Sequence, residues 1–551
     1  MAVVLRCADD LASVPRHDHW FAVTGTTVSL PADTRLPDLA TRLEAAFDAI
    51  RDTWWNLARE MGHDDASAKW SHVAAAGTYG SDFGLMLAWT RLTEDCAADS
   101  ATTLVICSDP WLFRQMEALV GVRAGRRPAL WPRCFRAWLR GVFARGALAL
   151  RLACATISLR GDRRKHAGQD ASVLMVYGHP DSRPDGTDAY FGSLMSELPA
   201  LHRLLHTDCR RGSAMRLGVD DRTASLHAWG GLGFAVCKVP FTRWRPTRRL
   251  KAGPVGWLIR RAAVRENAGG GPAMNRWQMY CQRRWLAERS PRVVAWPWEN
   301  HAWERDFVRA AHCANAHTVG YQHAVVGRHQ FNFSPHSNSD GMDSLPNIIA
   351  CNGSGYRRQL AKLGVPDECL VTAGAFRVGR IDAGRYDPNG PVYVALSAIP
   401  LVAKRMMAAI RPLAAAGQRF VVKDHPMYPF PFEETETLKQ ISTTIPQTKA
   451  MAAVVYSTGT PGLEGLFAGV PTFRFMPEDT VALDIMPDGV DARAVIAETL
   501  DAALADCNVN APLAWANVMA PVNMGVWRRL LDPVPESDLE QGLEKSKRNI
   551  P

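Results

Sequence analysis

The stretch AVVYSTGTPGLEGLFAGVP, residues 453–471, decides how this chain is read. AVVY has the β-branched and aromatic content of a buried strand. Ser457, Thr458, Gly459 and Thr460 follow as a small-residue turn, and Pro461 opens a helix that carries Glu464. Such a turn aims backbone N–H groups and hydroxyls at one spot. That spot lies at a helix N-terminus, where the dipole favours an anion. Upstream, a second strand, RFVVK, ends in Asp424, His425 and Pro426. Two strand ends followed by polar groups predict a phosphate-bearing ligand at the carboxyl edge of a parallel sheet.

Working outward, strand signals at 103–107 (TLVIC), 173–177 (VLMVY), 293–296 (VVAW) and 317–321 alternate with helical segments. A second series follows at 348–351, 370–373, 392–397, 420–423 and 454–456, with a helix expected over 495–505. This alternation predicts an α/β fold with parallel sheets. The polar run RHQFNFSPHSNSDGMDSL, residues 328–345, reads as a linker, and the basic run 243–268 as an insertion or mobile loop. The charged residues from 533 onward read as a loose tail. The expected organisation is an N-terminal α/β region (1–165), a first Rossmann-like domain (166–330), a second one (346–515), and a C-terminal helix and tail (516–551). The two Rossmann-like domains would face each other across a cleft.

With 551 residues, 47% apolar and 22% charged, the composition is that of a soluble globular chain with room for several domains. The opening MAVVLRCADD has no basic n-region, so no secretory signal is expected. No uninterrupted apolar run approaches about 18 residues, so no spanning helix is expected. The 12 cysteines are scattered without a C-x-x-C pair. That argues against a disulfide framework or a zinc site and for reduced thiols in the cytoplasm.

The net charge of +9 is uneven: Arg123 to Lys165 holds twelve basic residues against one acid, Asp162, interleaved with Trp131, Phe135, Trp138, Leu139, Val142 and Phe143. Two readings stand. One is a basic amphipathic helix lying peripherally on an anionic inner membrane; the other is a helix packed on the protein with a solvated basic face. No finger, helix-turn-helix or single-strand-binding motif accompanies the charge, which argues against nucleic acid.

Taken together, Lys423-Asp424-His425-Pro426 and Ser457-Thr458-Gly459-Thr460 with Glu464, Gly469 and Pro471 resemble the HP and serine/threonine motifs of a group of GT-B glycosyltransferases. The group comprises bacterial CMP-sugar enzymes, such as Kdo and sialic acid transferases, and related surface-carbohydrate proteins. PNIIACNGSGYRRQLAKLG (346–364) and Gly374-Ala375-Phe376-Arg377 resemble the opening of such C-terminal domains. The resemblance runs from about Trp296 to Asp501.

It implies a GT-B-like fold and a nucleotide-sugar donor as substrate, most plausibly a CMP-activated ulosonic or nonulosonic acid. It also implies a lipid-linked or growing surface glycan as acceptor, and neither a cofactor nor a divalent metal. Lys423, His425, Ser457, Thr458, Gly459 and Thr460 would then hold the donor phosphate, whose charge must be stabilised as it departs. Glu464 would accept from ribose hydroxyls. The plainer alternative is that His425-Pro426 ends a strand and Ser457 caps a helix.

Two further segments hold candidate reacting groups. In WPWENHAWERDF (296–307), Glu299 directly follows a strand; it reads as a catalytic carboxylate or as a helix-entry carboxylate. His323, in GYQHA (320–324), closes the next strand; it either reaches the cleft or is a satisfied buried histidine. Trp296, Trp298 and Trp303 read as packing rather than sugar stacking. In 177–192, Asp181 and Asp188, with Asp185 and more weakly His179, are candidates for base or nucleophile. The alternative there is a solvated loop in which Asp188 caps a helix. Two other functions fit the same motifs: a CDP-glycerol-type polyol phosphate transferase, and a non-catalytic GT-B-like scaffold at a membrane.

Overall fold

A computed structural model of the chain describes residues 3–12, 14–73, 75, 81–165, 171–425, 428–507 and 511–532. The tail 533–551 and Pro426 lie outside the described residues. Three parallel sheets organise the rest. The first contains β1 (Val3–Arg6), β2 (His19–Ala22), β3 (Thr103–Ile106) and β4 (Val122–Ala124), in the order β2-β3-β1-β4.

The second sheet contains β5 (Ser172–Val176), β6 (His202–Leu205), β7 (Thr223–Ser225), β8 (Val293–Pro297), β9 (His317–Gln322), β10 (Ile348–Cys351) and β11 (Leu370–Thr372). The third contains β12 (Val392–Ala395), β13 (Phe420–Lys423), β14 (Leu438–Ile441), β15 (Ala453–Tyr456), β16 (Thr472–Phe475) and β17 (Arg493–Val495). Counted from its own first strand, the third sheet runs 3-2-1-4-5-6, the doubly wound order. The second sheet repeats that order and adds a seventh strand beyond the sixth. These are two Rossmann-type domains of a GT-B-like α/β fold, with an extra N-terminal region.

The central strands of these sheets are covered on both faces, which is why β5, β8, β12 and β15 read as nearly continuous apolar runs rather than alternating. In β5, Val173 and Met175 join the large core shared with the N-terminal region, while Leu174 and Val176 pack on the other side. That other side is closed by the C-terminal helix Met524–Leu531. Its Trp527 is fully buried against Phe191, Tyr321 and Phe376. The chain therefore returns to the second sheet after completing the third.

Several expectations need correction. Ile348–Cys351 and Leu370–Thr372 extend the second sheet instead of opening the third, so the division falls between Thr372 and Val392, not near 346. The segment 328–345 is not a free linker. Phe331, Phe333 and Leu345 are buried, and its polar side chains bond one another, as Asn338 Nδ2 does to Ser344 Oγ at 3.0 Å. The segment 243–268 is not a mobile loop either. It holds the helices Arg248–Ala252 and Gly256–Asn267, and buried Arg261 clamps it to Asp82 and Asp109 at 2.7 Å each. Within 495–505, Val495 still belongs to β17 and the helix is Leu500–Ala505.

The N-terminal region touches both Rossmann-type domains. Glu44 accepts two bonds from Arg474 of β16, at 2.7 and 3.0 Å, with both side chains buried. Arg328, from the second-sheet domain, reaches the same Glu44, Asp48 at 3.0 Å and Asp484 at 3.1 Å. Trp55 Nε1 donates to Phe331 O at 2.9 Å. The cleft between the domains thus has a third wall.

Candidate functional site

Doubly wound sheets bind ligands beyond the carboxyl ends of their strands, where the strand order reverses. In the second sheet that point lies between β5 and β8; in the third it lies between β12 and β15. Glu299 follows β8 and Ser457 follows β15, so the two loops singled out from sequence occupy the reversal points of the two sheets. A cavity of about 600 Å³ lies there. Tyr177, Asp208, Glu299 and His301 line it from the second sheet, Gly459, Leu483 and Ile485 from the third-sheet domain, and His72 from the N-terminal region. Met274, Asn275 and Gln278 of the helix Gly271–Arg289 complete the wall.

The Glu299 loop is built rigidly. Asn300 sits in the left-handed region at φ 58°, an uncommon conformation that turns the chain sharply between strand and helix. Its Nδ2 donates to Asn332 O at 2.7 Å and to Asn338 Oδ1 at 3.0 Å. Asn332 Nδ2 in turn donates to Glu299 O at 2.7 Å. Beneath the turn, Glu304 Oε2 accepts from Trp296 Nε1 (3.1 Å), Glu299 N (3.0 Å) and Asn300 N (3.1 Å). Burial pushes the Glu304 carboxyl up to about 8, against the bonds from Glu299 N and Trp296, so it is held mostly neutral near pH 7. Gly320 of β9 allows the close approach of Trp298: a Cβ there would stand 2.9 Å from Trp298 Cβ.

This frame presents the Glu299 side chain, about one-third exposed, between two imidazoles: His323 Nε2 lies 3.5 Å from Oε1, and His301 Nε2 lies 3.4 Å from Oε2. Burial lowers His323 to about 4, against the pull of Glu299; burial, then Arg305, lowers His301 to about 4. Both rings are therefore neutral at pH 7, and each can turn an Nε2–H toward the carboxylate without carrying charge. His72 is lowered to about 4 as well, first by burial and then by His301. Asp208 differs. Burial drives it upward, but His206, His72 and Gln278 outweigh that and hold it below the ordinary carboxylate range. Gln278 Nε2 donates to its Oδ1 at 2.6 Å.

The structure does not bring Asp181 or Asp188 to this cavity. Asp181 is solvent-exposed beside His179, 3.6 Å away. Asp188 is buried and committed to its own loop: it accepts from Tyr190 N (2.8 Å), Phe191 N (3.3 Å) and Ser182 Oγ (3.2 Å), with Arg203 at 3.8 Å. It is a turn-forming carboxylate. Asp185 likewise holds Thr187 N at 2.8 Å.

Of the residues expected to hold a donor, Gly459 borders the cavity, at φ +113°, a conformation that favours glycine. Ser457 is fully buried, and its Oγ has no hydrogen-bond partner among the described residues; Thr458 Oγ1 lies 3.1 Å from Ser397 Oγ, at the end of β12. Among the described residues Ser457 Oγ makes no cap bond, and Thr460, which precedes the helix Pro461–Phe467, makes none either, so the reading of Ser457 as a cap does not hold. Lys423 Nζ donates to Ser442 O at 2.6 Å. Burial raises Glu464, with Lys423 opposing, and burial lowers His425, whose ring lies 5.8 Å from that of Tyr428. Lys423 and His425 thus stand at the end of β13, two strands from the Ser457 turn.

Sequence reasoning missed His72, Asp208 and His301. His301 lies inside the quoted ENHAW, but Asp208 follows β6, whose HRLL hides a buried arginine, Arg203, in a core position. Among the described residues, no group of three His, Cys, Asp or Glu side chains is arranged to hold a metal ion.

No protein-family model matches the chain, and no curated protein matches it. Among solved structures, it is similar to a UDP-N-acetylglucosamine 2-epimerase from Rickettsia bellii, at 12% identity and a TM-score of 0.35, over 70% of this chain and 99% of that one. It is also similar to the glycosyltransferase SnogD from Streptomyces nogalater, at 11% identity and a TM-score of 0.35, over 70% and 96%. A third is the UDP-GlcNAc 2-epimerase from Neisseria meningitidis bound to UDP-GlcNAc, at 11% identity and a TM-score of 0.31, over 55% and 82%. The fold assignment rests on the strand order and register.

Proposed function

We propose that this protein is a glycosyltransferase that takes a sugar from a nucleotide-sugar donor and passes it to a glycan acceptor in the interdomain cleft. One observation carries the reading. A carboxylate framed by two neutral imidazoles and a Ser-Thr-Gly turn stand at the reversal points of two facing sheets, across a cavity of about 600 Å³. That volume falls in the range of small-molecule sites.

In the proposed reaction, Glu299 takes the proton of an acceptor hydroxyl as its oxygen bonds to the anomeric carbon. The bond from that carbon to the phosphate oxygen breaks, and the electron pair leaves on the nucleotide phosphate. The backbone of the Ser457–Gly459 turn and the hydroxyls of Ser457 and Thr458 would receive that charge, with Lys423 and His425 adding donors from the end of β13, two strands away. Glu464 would serve the ribose. His301 and His323 would orient the carboxylate.

The donor class we propose is a CMP-activated ulosonic or nonulosonic acid. The acceptor we propose is a lipid-linked or growing surface glycan, met on the cytoplasmic side of a membrane. The motif resemblance supports both. The experiment is a donor screen with CMP-, UDP- and GDP-sugars and CDP-glycerol, following nucleotide release with wild type and Glu299→Gln. Release of CMP by wild type, lost in the variant, supports the proposal. Glycerol phosphate transfer would move the reading to a polyol phosphate transferase, and no turnover with any donor would leave the scaffold reading.

A further inference from the structure

Two neighbouring segments carry apolar side chains that the fold leaves uncovered. In the helix Trp131–Leu159, Trp131, Phe135, Trp138 and Val142 follow one stripe at i, i+4, i+7 and i+11, and Leu139, Phe143 and Leu150 follow the next. All are exposed, with Trp131 at 72% and Phe143 at 69%. None of residues 131–140 is buried. Against the same helix packs the apolar segment Leu232–Phe241, which exposes Leu232, Val236 and, at 71%, Phe241. Exposed large aromatics this dense are rare on a soluble monomer's surface and mark an interaction face.

Charge names the partner. Arg133, Arg136, Arg140 and Arg151 are exposed along one flank of the long helix, with Arg126 and Arg127 just before it and Lys238 on the adjacent segment. Apolar side chains bordered by arginines complement the acyl–headgroup boundary of an anionic bilayer.

The helix is long and apolar enough to cross a membrane, but its packing forbids it. A Cβ at Gly141 would collide with the Asn267 carbonyl oxygen, so the backbone is seated directly on the end of the helix Gly256–Asn267. Arg145, buried, donates from Nε to Pro240 O at 2.9 Å and from Nη1 to Asn267 O at 2.7 Å. Leu148, Leu152, Ala155 and Leu159 belong to the protein core. The free portion, 131–140, is about 15 Å long, short of the roughly 30 Å hydrocarbon thickness. Ala144, Ala147, Leu148, Arg151 and Met274 line a groove on the same helix, and Met274 also lines the cleft.

We propose that the exposed half of the helix Trp131–Leu159, together with Leu232–Phe241, docks flat on an anionic lipid bilayer without spanning it. The cleft, which shares Met274 with that groove, is then held near the surface. The inference rests on the transfer reading only for what the membrane would present to the cleft. Binding itself is measured without turnover, so a failed vesicle assay and a failed donor screen are distinguishable.

The test is flotation of the full-length protein with phosphatidylglycerol-containing vesicles and with pure phosphatidylcholine vesicles, at low and high salt. Wild type should float with the anionic vesicles, and high salt should weaken that binding without abolishing it. Replacing three exposed arginines together (R133Q/R136Q/R140Q) should weaken binding about a hundredfold. W131S/F135S/F143S should abolish salt-resistant binding while the thermal midpoint holds. Absence of binding to anionic vesicles overturns the proposal, as does binding that neither variant weakens. It would also be overturned if sedimentation without lipid showed a dimer that W131S/F135S/F143S dissociates, since a second copy would then cover the face.

Discussion

Glu304 is where the account of the site can be tested most quantitatively. Its Oε2 accepts from three donors: the buried indole N–H of Trp296 and the backbone N–H groups of Glu299 and Asn300. Glu304→Ala strands all three. A buried donor left unmade costs about 1–3 kcal/mol, so the loss is at least about 3 kcal/mol. For a domain of this size that is a fall of roughly 6–12 °C in the unfolding midpoint. Glu304→Gln keeps an acceptor of the same shape. Because burial holds the carboxyl protonated up to about pH 8, the amide replaces a neutral group and should stay within about 1 kcal/mol of wild type at pH 5.

The pH dependence has a definite sign. The folded carboxyl titrates near 8, far above the ordinary carboxylate value, so its contribution is fully present below about 4.5 and is lost as pH rises toward 8. The loss across that window is on the order of 4 kcal/mol. The Gln variant does not titrate. Its midpoint should therefore gain on wild type steadily between pH 4.5 and 8. The assay is tryptophan-fluorescence melting of the three proteins at half-unit pH steps. An Ala variant as stable as wild type would refute the hydrogen-bond account. A Gln variant that parallels wild type across the pH range would refute the neutral-carboxyl account.

The remaining predictions use the same logic. Glu44→Ala leaves Arg474 buried without its carboxylate and should cost about 3–5 kcal/mol, largely recovered when Arg474→Met is added; denaturant midpoints measure both. Glu299→Gln should lower turnover by roughly a hundredfold to ten-thousandfold with nucleotide affinity unchanged, read by kinetics and calorimetry in parallel. Asp188→Ala should lower the melting temperature through the loss of its turn, whereas Asp181→Ala, at an exposed position, should leave both melting and turnover as they are. Because burial lowers His323 to about 4, protonating it costs stability as pH falls from about 6.5 toward 4. His323→Gln should flatten that acid limb of the melting profile.

Much of the fold was legible because parallel strands covered on both faces read as continuous apolar runs: VLMV at β5, VVAW within β8 and AVVY at β15 all lie where the sequence put them. β6 was missed because Arg203 occupies one of its four positions, satisfied by Thr223 Oγ1 at 3.1 Å and Arg183 O at 3.0 Å, which no periodicity reveals. The domain division was misplaced because the polar segment 328–345 looks like a linker. Its asparagines and serines are in fact spent on one another and on the Glu299 turn.

In the site, the positions of Glu299, His323 and the Ser457 turn followed from strand ends. The aspartates of 177–192 did not follow, since a buried Asx turn and a reactive carboxylate share one composition. His72 was invisible because it comes from the N-terminal region, which only tertiary packing brings to the cleft.

The central claim is that one cleft holds a nucleotide across the Ser457 turn and opposes it with Glu299. Calorimetric titration of CMP, CDP, UDP and GDP into wild type, Gly459→Val and Glu299→Gln tests it directly. Gly459 borders the cavity, and its backbone at φ +113° strains any side chain placed there, so valine should displace the turn. The account predicts that at least one nucleotide binds wild type and Glu299→Gln alike and fails to bind Gly459→Val. A nucleotide bound equally by Gly459→Val, or no binding by wild type at millimolar ligand, would contradict it.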